Sequence, residues 1–136
     1  MAENVPTSRE LEALKFLWEH GRATVRDIYR ALKPADKDLA YTTVLSLLQS
    51  MAEKGLVGRE LVGKAHTYFP RVRRDSTFRK LAGSFLDRVF DGAVDQYLVH
   101  ALESRRPSVE ELEELEKMIA EAKRRAQDRG KKGEQP

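Results

Sequence analysis

Three features of this 136-residue chain predict a mainly α protein with one small β element. Apolar residues recur at three- and four-residue spacing through most of its length, which is the period of helices that bury one face. The period drops to two only between Leu56 and Phe69, as a hairpin requires. Capping boxes at Thr7 with Glu10 and at Ser108 with Glu111 open helical segments toward opposite ends of the chain.

The first helix starts at the Thr7 cap, which contributes about 1 kcal/mol. It carries Leu11, Leu14, Leu17 and Trp18 on one side and stops at Gly21. A second begins at Thr24, turns Val25, Ile28 and Leu32 inward, and ends near Pro34. The third runs from about Leu39 to Lys54, with Val44, Leu47, Leu48 and Met51 as its buried stripe and Gly55 as its stop. Two extended runs follow, Leu56 to Leu61 and Ala65 to Phe69, joined by Val62-Gly63-Lys64 and closed by Pro70. Three helices, a short connection between the last two and a terminal hairpin describe a winged helix-turn-helix over residues 1–74. Its third helix is the recognition helix and its hairpin the wing.

After the Arg71, Arg73 and Arg74 connection the pattern is wholly helical. Phe78, Leu81, Phe85, Leu86, Val89 and Phe90 form one stripe, stopped at Gly92. Val94, Tyr97, Leu98, Ala101 and Leu102 form the next. After Pro107, Leu112, Leu115 and Ile119 mark a third, with Met118 alongside. Three helices over residues 75–129 enclose too small a core to be stable alone. The economical solution is a second copy, so this segment is expected to be a helical dimerisation domain. Phe85, Leu86, Val89, Phe90, Tyr97, Leu98, Leu102, Leu112, Leu115 and Ile119 are its candidate interface. Residues 130–136 lack apolar content and are expected to be a disordered tail.

Composition narrows the function. With 25 Lys and Arg against 22 Asp and Glu, the net charge of +3 permits a polyanionic partner without requiring one. The absence of cysteine excludes a disulfide framework, thiolate metal sites and a cysteine nucleophile. His20, His66 and His100 stand far apart, none with a second ligand at metal-binding spacing, so no metal or cofactor is expected. No catalytic arrangement or phosphate-cradling glycine loop can be picked out, and an enzyme is not expected. No apolar run spans a bilayer and the N-terminus lacks a signal-peptide pattern, so the expected location is cytoplasmic. In the last helix, Glu110, Glu111, Glu113, Glu114 and Glu116 come first, and Lys123, Arg124, Arg125, Arg129, Lys131 and Lys132 close it. Both placements favour the helix dipole, as on a solvated helix.

The third helix carries the functional signal. Opposite its apolar stripe lie Thr42, Thr43, Ser46, Gln49 and Glu53, and Tyr41 to Ser50 contains no charge. Water-facing helix surfaces ordinarily carry Lys and Glu, whereas threonine methyls suit thymine methyls and Gln suits adenine. Leu45 sits at the rim of this face. Lys64 at the hairpin tip and Arg59 on the strand before it are candidate contacts to phosphate or minor groove. Arg26 and the helix N-terminus at Thr24 are further phosphate candidates, although Thr24 also reads simply as a cap. Two functions fit these residues: a dimeric repressor reading double-stranded DNA, or a winged-helix module that binds a protein instead.

Several segments are similar to the penicillinase-repressor (BlaI/MecI) family of bacterial transcription regulators. They are S-R-E-L-E-A-L-K-F-L-W from Ser8, A-Y-T-T-V-L-S-L-L from Ala40, E-K-G-L-V from Glu53, G-K-A-H-T-Y-F-P from Gly63 and S-F-L-D-R-V-F-D-G from Ser84. The resemblance, over about residues 7–125, implies a homodimer on an operator with dyad symmetry, blocking transcription. It implies recognition-helix contacts at Thr42, Thr43 and Ser46 and a wing contact at Lys64. Some members carry a basic side chain where Thr42 stands, which implies a different base read there. In antibiotic-responsive members a membrane sensor protease pathway leads to cleavage in the dimerisation helices, commonly at an Asn-Phe bond. The corresponding bond here is His100–Ala101. Copper-responsive relatives end in a cysteine cluster, which this chain lacks.

Overall fold

The computed structural model describes residues 5–133, which fall into two units, one reaching Gly92 and the other starting at Ala93. In the first unit, helix α1 (Ser8–His20) starts where expected. The Thr7 hydroxyl accepts the Glu10 N–H at 3.3 Å, and Glu10 Oε1 accepts the Thr7 N–H at 2.9 Å. Gly21, at φ 84°, ends the helix by donating its N–H to the Leu17 carbonyl. A two-residue strand, β1 (Ala23–Thr24), leads into α2 (Val25–Leu32), capped reciprocally by Thr24 and Asp27. A 3-10 turn (Lys33–Ala35) containing Pro34 follows.

Helix α3 (Tyr41–Glu53) starts two residues later than its hydrophobic pattern suggests, because Leu39 is buried from the preceding loop. It ends in a Schellman motif, with Leu56 N–H bonded to Met51 O and Gly55 N–H to Ala52 O. Strands β2 (Val57–Val62) and β3 (Ala65–Pro70) pair antiparallel, and Val62 opposite Ala65 leaves a two-residue turn, Gly63-Lys64. The φ of 64° at Gly63 is what a primed hairpin turn demands at its first central position. Val62, expected in the turn, is therefore the last residue of the strand. The sheet order is β1-β3-β2, with Ala23 opposite Tyr68. A strand as short as β1 has no period to detect.

Leu14, Leu17, Ile28, Val44, Leu48 and Met51 are fully buried, and Leu56, Val57 and Tyr68 from the sheet side nearly so. Each such side chain stabilises the fold by about 1.5–3 kcal/mol. Leu47, expected with the inward stripe, is only half-buried and packs at its edge, as does Leu45. Helix α4 (Arg74–Phe90) belongs to this unit, which corrects the boundary expected after residue 74. The cause lies in α1: Trp18 Nε1 donates to Val72 O at 3.0 Å and its ring meets Phe78 edge-on at 5.7 Å.

The second unit holds α5 (Val94–Arg105) and α6 (Val109–Gly133), the latter opened by the reciprocal Ser108–Glu111 cap. Helix α6 runs through 130–133, so those residues are helical where composition suggested disorder. Lys131 is exposed, as on a solvated helix, and the sequence here lacks a proline to stop it. The rest of the expected tail, 134–136, lies outside the described residues.

Two outcomes follow from the packing of the first unit. A Cβ on Gly58 would stand 2.3 Å from the Phe69 ring, its cross-strand neighbour, whose position the Arg22 guanidinium 5.0 Å from the ring centroid also constrains. Gly58→Ala should therefore cost about 1–3 kcal/mol in urea unfolding with an unchanged slope. Glu10 is buried, which opposes its ionisation, but hydrogen bonds from Lys54 Nζ at 2.7 Å and from Thr7 outweigh burial and hold its carboxyl below the ordinary value. A lowered folded value means stability present in full above the ordinary glutamate range and lost as pH falls through the folded value. Thermal melts should drop more steeply on acidification for the native chain than for Glu10→Gln, and parallel acid limbs would disprove this role.

Candidate nucleic-acid interface

Helix α3 positions the outward residues by turning Val44, Leu48 and Met51 into the core. Thr42, Thr43, Ser46 and Gln49 are consequently all exposed, spaced over the turns from the helix start. The Ala40 cap provides no side-chain acceptor, so the first turn of α3 has no capping side chain. Just before it, Lys33 Nζ donates to Lys37 O at 2.6 Å and Leu39 O at 2.8 Å and so organises the approach to the helix.

The fold gathers residues that are distant in sequence. A concavity of about 580 Å³ lies between the start of α2, the outer face of α3 and the wing. Thr24, Arg26, Gln49, Arg59 and Lys64 line it, together with Tyr41 and His66. A cation from α2, one from β2 and one from the wing tip thus rim a groove whose α3 wall is uncharged. Thr42, Thr43 and Ser46 are not among its lining residues; they lie elsewhere on the exposed surface of α3. Arg59 and Gln49 also border a second hollow, with Glu53 and Arg71.

At Thr24 the cap reading prevails. Its N–H is donated to Asp27 Oδ2 at 3.1 Å, and its hydroxyl accepts the Asp27 N–H at 3.1 Å. Those hydrogen bonds keep the Asp27 carboxyl below its usual value, so the first turn of α2 already holds an anion. Tyr41 and His66 were not legible as site residues. Tyr41 stacks edge-on with Tyr29 at 5.7 Å, and His66 reaches the groove through hairpin register opposite Leu61. Only the alternation of β3 could have signalled His66.

The wing itself is braced. Arg22 pairs with Glu60 on β2 while lying over Phe69 on β3, which ties the α1–β1 connection to both wing strands. Its tip exposes Leu61 and Val62 beside Lys64.

The candidate interface residues of the helices also lie largely open. On α4, Phe85 and Val89 are exposed, Leu86 and Phe90 half-buried, and the Phe85 and Phe90 rings stand 6.0 Å apart. In the second unit Tyr97, Leu102, Leu112 and Ile119 are exposed, and Leu98 and Leu115 half-buried. Leu98, Leu102, Leu112, Leu115 and Ile119 line an apolar groove of about 640 Å³ between α5 and α6. His100 is exposed and Ala101 half-buried in the middle of α5. Among the described residues, no group of three or more His, Asp or Glu side chains could hold a metal ion, and no helix is long and apolar enough to cross a membrane.

A family described as penicillinase repressor matches residues 6–121. The transcriptional regulator BlaI of Mycobacterium tuberculosis is 36% identical over 114 residues, spanning 82% of this chain and 80% of that relative. The penicillinase repressor of Bacillus licheniformis is 24% identical over 119 residues, 88% of this chain and 92% of that relative. A solution structure of the DNA-binding domain of the repressor BlaI is similar with a TM-score of 0.46 and 20% identity, over 51% of this chain and 83% of that one.

Proposed function

This chain belongs to the penicillinase-repressor family, a family of transcriptional repressors rather than enzymes, and from that premise we propose that it is a homodimeric repressor of a pseudopalindromic DNA operator. The observation that carries the reading is the uncharged, hydroxyl-bearing outer face of α3 beside a groove rimmed by Arg26, Arg59 and Lys64. In this reading α3 enters the major groove, where Thr42, Thr43, Ser46 and Gln49 meet base edges. Arg59 and Lys64 follow the backbone from the wing, and Arg26 from the start of α2. Two-fold symmetry sets the recognition helices about 34 Å apart, or a multiple of it, which a dyad operator mirrors. The open apolar surfaces of α4, α5 and α6 support the dimer, because exposed side chains such as Val89 at 55% and Ile119 at 57% call for a covering surface.

Relief of repression is the second part of the proposal. A membrane sensor protease pathway would end in a cut within the dimerisation helices, and His100–Ala101 divides α5 between Leu98 and Leu102. Cutting there separates two side chains of one apolar groove and leaves neither fragment with a continuous surface for the partner. A lone protomer then engages one half-site, which holds too few contacts to stay bound.

The DNA reading is tested by gel shift against the chain's own promoter region at two salt concentrations. Thr43→Glu and Ser46→Glu should each weaken binding by about 10- to 100-fold, through lost base contacts and phosphate repulsion. Lys64→Ala should weaken binding to all sequences alike and flatten the salt dependence. Native protein that binds without sequence preference, or that ignores the glutamates, would leave the winged unit as a protein-binding module. Sedimentation tests relief: protein cleaved at His100–Ala101 should run as a monomer, and a cleaved dimer would refute it.

A further inference from the structure

Helix α6 continues well past the family match, which ends at residue 121, and its added turns differ chemically from its first ones. Leu112, Leu115, Ile119, Ala122, Ala126 and Gly130 recur at three- and four-residue spacing and so share one face. Along that face large side chains occupy the first half and small ones the second. Charge divides in the same sense. Glu111 and Glu116 flank the stripe early, and Lys123 and Arg125 flank it late. Glu114 pairs with Lys117 and Glu121 with Arg124 inside the helix. Among the described residues Glu116, Lys123, Arg125 and Arg129 form no ion pair, and all are exposed.

We propose that α6 pairs antiparallel with α6 of a second copy, so that residues 122–131 of each chain clamp the acidic first half of the other. The groove between α5 and α6 is the seat: its apolar floor includes Leu112, Leu115 and Ile119, and Glu116 is a charged lining residue. Antiparallel docking sets Leu115 against Ala126 and Ile119 against Ala122, large against small, so the backbones approach closely without voids. It also sets Glu116 opposite Lys123 at both ends of the seam. Parallel docking would stack leucines on leucines, alanines on alanines and like charges on like charges, which is unfavourable on each count. The inference rests on the homodimer reading and adds the orientation of the seam and a role for the turns beyond the family match.

The chain lacks cysteine, so introduced thiols report pairing cleanly. Full-length Glu116→Cys and Lys123→Cys proteins are mixed, allowed to exchange and oxidised. The 116–123 cross-link should dominate over 116–116 and 123–123 links. Dominant same-position links would mean a parallel seam and overturn the proposal. Absence of cross-links from a protein that still sediments as a dimer would overturn it too, while leaving the homodimer intact. A protein that sediments as a monomer throughout would remove the homodimer reading as well. Independently, Lys123→Glu should weaken self-association by about tenfold at low salt, and adding Glu116→Lys to the same chain should restore it. A reversal that lowers DNA affinity and leaves the dimer constant untouched would assign the basic turns to the DNA backbone and defeat the clamp.

Discussion

The Glu10 carboxylate, buried at the start of α1, accepts the Thr7 N–H on one oxygen and Lys54 Nζ on the other, and so joins the first turn of α1 to the end of α3. Burying a lone carboxylate is costly, and only its full set of partners makes this one tolerable. The bond holds one end of α3 while Val44, Leu48 and Met51 hold its length. A helix gripped along one side and at its end cannot roll. Its outer face, carrying Thr42, Thr43, Ser46 and Gln49, is therefore presented in a single orientation.

The same logic extends to the wing. A two-stranded hairpin is marginal alone, and this one gains stability from the short β1 strand on one edge and from side chains across it. Phe69 covers Gly58, and Arg22 covers Phe69 while bonding Glu60. The wing thus stands at a defined distance from α3, which is what turns Arg59 and Lys64 from surface cations into the rim of a groove with Arg26 and Gln49.

The second unit poses the opposite problem. Among the described residues of α5 and α6 none is fully buried, and apolar side chains of both helices line an open groove. Here the structure is held by local devices, the Ser108–Glu111 cap and the Glu114–Lys117 and Glu121–Arg124 pairs, each worth a few tenths to about 1 kcal/mol. Such devices keep a helix formed but do not exclude water from leucines. The winged unit makes its own core; the helical unit leaves its apolar faces largely open.

By itself the sequence determined the elements whose causes are local. Thr7 with Glu10, Ser108 with Glu111 and the cap at Thr24 mark helix starts, Gly21 and Gly55 mark stops, and Gly63 marks the hairpin turn, because caps and turns depend on residues a few positions apart. The inward and outward faces of α3 were legible for the same reason, with Leu47 misjudged because it sits at the edge where period does not decide burial. Only the tertiary structure decided what lies between elements. That includes β1, which exists through its pairing with β3, and the inclusion of α4 in the winged unit through Trp18 and Phe78. It also includes the joining of Tyr41 and His66 to the groove. Those outcomes depend on contacts between residues tens of positions apart, and periodicity carries no information about such distances.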